Sequence, residues 1–164
     1  MKKTGVMSWT KGMLATLVGA RKIGDLDLAV LRTMMMLAAV DGDVSAAELD
    51  AFKTFAEGCR GYSKRTFAKV WDAALRSAGV LVLKARILPK VELVQAFLSE
   101  AAPDLIKGLS ESSAVVRGAV FAKLEALAES DGKKSEIEAA CIAALHDKVC
   151  RTFTLGKALS GAKG

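Results

Sequence analysis

Apolar residues recur at helical spacing through most of this chain, and in two places the same spacing frames the same short polar motif. Counting back 4, 7, 11 and 15 residues from Asp41 meets Leu37, Met34, Val30 and Leu26. The same steps back from Asp131 meet Leu127, Leu124, Val120 and Val116. Counting forward 11 and 14 residues meets Phe52 and Phe55 in the first case, Ile142 and Leu145 in the second. Steps of three and four put each set on one face of a helix. Between these flanks stand Asp41-Gly42-Asp43-Val44-Ser45-Ala46-Ala47-Glu48 and Asp131-Gly132-Lys133-Lys134-Ser135-Glu136-Ile137-Glu138. Both read D-G-x-x-S-x-x-E, and the step from 41 to 131 is 90 residues. A motif repeated with matching flanks marks an internal repeat.

Each unit therefore predicts an apolar-faced helix, a turn opened by Asp-Gly, and a second helix that starts at the serine. Glycine adopts the left-handed backbone that ends a helix without a Cβ penalty. Ser followed three residues later by Glu is a capping box, in which the hydroxyl and the carboxylate each accept a backbone N–H of the first turn. Structural capping is thus a complete reason for the motif to exist.

Elsewhere, Ser63 is placed to cap a helix that carries Trp71 and ends at Gly79. The run Val80-Leu81-Val82-Leu83 reads as buried helix or extended linker, because no second strand is evident to pair with it. After Pro89, Val91, Leu93, Val94, Phe97 and Leu98 mark a helix, and Pro103 opens a short turn or helix to Leu109. Gly108 to Ser113 is the hinge into the second unit. At the start, Val6, Trp9, Met13 and Leu17 share a face, with Lys11 and Lys22 largely opposite. The expected organisation is an amphipathic basic leader over 1–22, one helical domain over 23–155 and a flexible tail over 156–164. The fold class is all-α, a helical bundle built on two related helix–turn–helix units.

Composition agrees with that class. Hydrophobic residues are 52% of 164, aromatics only 5%, and the two prolines are Pro89 and Pro103, a balance that supplies one core and favours helix over strand. Mean hydropathy is positive, yet charges interrupt every apolar stretch before the ~18–20 residues that span a bilayer. Cys59, Cys141 and Cys150 form no C-x-x-C pair and read as reduced thiols, as expected in the cytoplasm. Net charge is +6, but the basic residues are scattered and lack interleaved aromatics, so no nucleic-acid partner is expected. The leader, through residues 6–22, offers a peripheral contact with the inner membrane or a face for packing on the domain.

The acidic residues of the turns carry the candidate chemistry. D-G-x5-E also matches the second half of an EF-hand loop, but the first two ligand positions hold Leu37 and Ala39 in one copy and Leu127 and Glu129 in the other, which argues against a calcium loop of that type. No nucleophile–base pair, phosphate-binding loop or complete metal site is visible, and an enzyme is not expected. Glu48 and Glu138 become a carboxylate pair if the two units face each other.

The paired motifs, from Ala38-Ala39-Val40-Asp41-Gly42 through Glu48 and from Ala128-Glu129-Ser130-Asp131-Gly132 through Glu138, resemble those of the TerB family of tellurite-resistance proteins. The resemblance spans Asp25 to Val149. It implies a pseudo-twofold helical bundle in which acidic residues of the two turns meet, a role in tellurite resistance or a related stress response, and protein partners that are often membrane-associated. Carried over by position, the metal-binding candidates are Asp41, Asp43 and Glu48 from the first turn and Asp131 and Glu138 from the second. Such an oxygen-only set favours calcium or magnesium over zinc. Lys133 and Lys134 depart from the family pattern and place cations beside the second set. Two readings stand: a TerB-like stress protein binding a divalent metal through both turns, or a helical protein-interaction module whose turns only cap helices.

Overall fold

A computed structural model describes residues 20–58, 64–101 and 103–161. The amphipathic leader up to residue 19, Cys59, Ser63 and the last three residues lie outside them. The described residues form seven helices and no strand: α1 Ala20–Ala39, α2 Ala46–Gly58, α3 Lys64–Ala85, α4 Lys90–Ala101, α5 Pro103–Ser110, α6 Ala114–Ala128 and α7 Glu136–Gly161.

The architecture follows from α1. Every residue from Met34 to Val40 is buried, so the last turns of this helix are apolar all round and need cover on every side. They receive it, because α1 touches each of the other six helices. The remaining helices bury one face each: α3 lies along α1 and against α4, α6 packs on α1, α2 and α7, and α7 also meets α4 and α5. Gly108 on α5 lets that helix approach α1, since a Cβ there would stand 2.9 Å from Leu26 Cδ1. All twelve flanking positions of the repeat, from Leu26 to Phe55 and from Val116 to Leu145, are buried in a single core.

Three boundaries differ from expectation. Helix α3 runs through Gly79 and ends at Ala85; a Cβ at Gly79 would meet nothing, so this glycine sits on an exposed face, where its modest helix cost of ~1 kcal/mol is outweighed by packing of the opposite face. The run from Val80 to Leu83 is therefore helical, and it is not uniformly buried: Leu81 is fully covered whereas Leu83 is 62% exposed. Helix α1 starts at Ala20, inside the segment read as leader, and α7 continues to Gly161, past Gly156 where the tail is expected to begin. Pro89 and Pro103 do mark helix starts, consistent with the preference of proline for the first turn. No described helix is long and apolar enough to cross a membrane.

Candidate functional site

The two turns are built by the same local chemistry. Gly42 and Gly132 have φ of +96° and +86°, in the left-handed region where L side chains are strained. The Gly42 N–H donates to Ala39 O and the Gly132 N–H to Glu129 O, at 3.1 and 3.0 Å. Each aspartate then folds over its own turn: Asp41 Oδ1 accepts from the Asp43 N–H at 3.1 Å and Asp131 Oδ1 from the Lys133 N–H at 3.0 Å. Both capping boxes are complete. Ser45 Oγ accepts from the Glu48 N–H at 3.1 Å while Glu48 Oε2 accepts from the Ser45 N–H at 2.7 Å. The corresponding distances at Ser135 and Glu138 are 3.3 and 2.7 Å.

What capping alone does not require is where the glutamates end up. Glu48 and Glu138 are buried, the latter 1% exposed, and the two carboxyl groups lie close enough for Glu138 to raise the pKa of Glu48. Ionised carboxylates only accept hydrogen bonds, so two of them held close together favour a shared proton, or a cation in its place. Burial pushes Glu48 up to about 7; its bonds to Ser45 oppose this, and the Glu138 carboxyl adds to it. Each glutamate commits Oε2 to its cap, and Glu138 Oε1 is buried without a hydrogen-bond partner among the described residues. Ser130 Oγ, in the second turn, is likewise buried and unpartnered.

The expected site residues divide into two tiers. Glu48 and Glu138 form the buried pair. Asp41, Asp43 and Asp131 are exposed, but Asp41 lies within electrostatic reach of Glu138, Asp43 and Asp131. Its carboxyl is raised by burial first, lowered by the Asp43 N–H, and raised again by those three acids. Among the described residues no three His, Cys, Asp or Glu side chains stand close enough to hold a metal ion between them. A metal here would be held by the Glu48–Glu138 pair, with water completing its shell; magnesium characteristically binds through one or two carboxylates in that way.

Of the two lysines in the second turn, Lys134 is paired away from the carboxylates of the turn. Lys134 Nζ pairs with Glu125 of α6, and Lys133 contributes its backbone N–H to Asp131. The Lys134–Glu125 contact spans nine residues and two elements, so no periodicity in the chain announces it. Cys141 faces the same neighbourhood, where burial and then the Glu138 charge push its thiol up to about 12. At that value the thiol stays protonated and unreactive. His146 is exposed and lies edge-on to Phe121 with ring centroids 4.9 Å apart.

Fold and site together define an all-helical protein in which two capped turns bring a carboxylate pair together. Comparison with known proteins finds no family model, no curated protein and no solved structure that matches the chain.

Proposed function

We infer that this chain is a non-enzymatic, TerB-like protein of the cytoplasm, serving tellurite resistance or a related stress response, in which Glu48 and Glu138 hold a divalent cation at the junction of two pseudo-twofold units. The observation that carries this reading is the buried Glu138 Oε1, without a partner among the described residues, on a side chain close enough to raise the Glu48 carboxyl. Like charges so placed are costly unless a proton or a cation neutralises them. Asp41 and Asp131 at the surface add negative potential that draws cations toward the pair.

Thermal unfolding of the chelated protein, with calcium, magnesium, manganese or zinc titrated in, tests the reading. The expected result is a saturable rise of a few degrees with magnesium or calcium, as ligand linkage requires, and no rise in the Glu138→Gln variant. No shift with any ion sinks the metal site.

A second reading has its own support in the two complete capping boxes, which give every motif residue except the buried carboxyl contact a structural task. In that reading the protein is a helical interaction module, and its partners are proteins. It predicts that Ser45→Ala costs more stability than Asp41→Asn, whether or not an ion is present.

A further inference from the structure

The corner where α3 passes into α4 carries large apolar side chains that are exposed among the described residues. Val80 is 45% exposed, Leu83 62%, Ile87 78% and Val91 73%. Val80 and Leu83 stand three residues apart in the last turns of α3, Ile87 lies in the turn that follows it, and Val91 is in the first turn of α4. Clusters of this kind on a folded protein mark an interaction site. The charge pattern is equally one-sided: between Asp72 and Glu92 the chain holds Arg76, Lys84, Arg86 and Lys90, and no acidic residue.

We propose that the α3–α4 corner inserts peripherally into an anionic lipid surface, with Leu83 and Ile87 entering the headgroup–acyl boundary and the four cations resting on phosphate oxygens. Three features favour a bilayer over the other occupants. Leu83, Val91 and Ile87 are 62–78% exposed, and a bilayer takes up such side chains without a complementary groove. A second copy would set the same cations against one another. Arg76 and Arg86 are exposed, and Lys84 and Lys90 make solvent-accessible pairs with Glu100 and Glu136, at 3.5 and 2.8 Å. Surface pairs of that kind are weak enough for lipid phosphate to replace. Apolar insertion with flanking Lys and Arg is the physical basis of peripheral binding to anionic membranes.

The test is flotation of the full chain, in chelator, with vesicles of phosphatidylcholine alone or mixed with phosphatidylglycerol. Chelator makes the outcome independent of the proposed ion site. The expected result is binding to the mixed vesicles only, weakened by salt, and reduced about tenfold in Leu83→Ser/Ile87→Ser. Both positions are exposed, so the variant should melt with the wild type, which circular dichroism checks. Arg86→Glu should weaken binding in the same assay and leave the fold unchanged. The proposal is overturned by absence of binding to the mixed vesicles. It is also overturned if binding survives Leu83→Ser/Ile87→Ser but is lost in Trp9→Ser, which would assign it to the leader. Self-association in sedimentation that the double substitution abolishes would give the corner to a second copy instead.

Discussion

At the scale of single residues, Asp27 and Glu48 are carboxyl groups in the wrong medium for a charge. Burial pushes Asp27 on α1 up to about 6, and Glu48 to about 7. An acid whose folded value lies above its unfolded one binds protons more readily in the native state, so stability is fullest below the unfolded value and falls as pH rises through the folded one. Melting of the chelated protein should therefore weaken between about pH 4 and pH 7. Asp27→Asn should melt higher than the wild type at pH 7 and equal it near pH 4, whereas Glu48→Gln should remove the part of the decline nearest neutrality. A melt that is flat across this range in the wild type contradicts both assignments. The pairing of Glu48 with Glu138 was foreseeable as a consequence of two units facing each other, but their burial was not: in the chain each glutamate looks like an ordinary solvated cap.

At the scale of elements, the repeated turns make a sharp comparison. A Cβ at Gly42 would stand 3.6 Å from Ala85 Cβ, ordinary contact, and one at Gly132 would meet nothing. Gly42→Ala and Gly132→Ala should thus cost alike, about 1 kcal/mol each, because only the left-handed backbone is strained. Ser45→Ala and Ser135→Ala should each cost about 1 kcal/mol for the lost cap. Chemical denaturation of the four variants checks both statements; a Gly42 variant far worse than its Gly132 counterpart would show that contact with α3 matters after all. The helices around these turns were legible because burial enforces a period, and all twelve flanking positions keep it. The end of α3 was not, since Gly79 imitates a stop signal while costing little on an exposed face. The apolar run after it imitates core, although alternate residues face opposite ways.

At the scale of the whole molecule, the one helix that touches all the others determines how the parts depend on each other. Core clusters from both units merge around α1, so neither unit has a private interior. This has a consequence for a severed chain. A cut in the turn at residues 111–113 would separate α1–α5 from a hairpin of α6 and α7, whose buried faces include Val120, Leu124, Leu127 and Leu145. The hairpin alone should be unfolded by circular dichroism and should gain helix on mixing with the larger piece; a hairpin that folds by itself would refute this. The chain is then a natural candidate for fragment complementation, in which two separately made polypeptides report their meeting by becoming one protein.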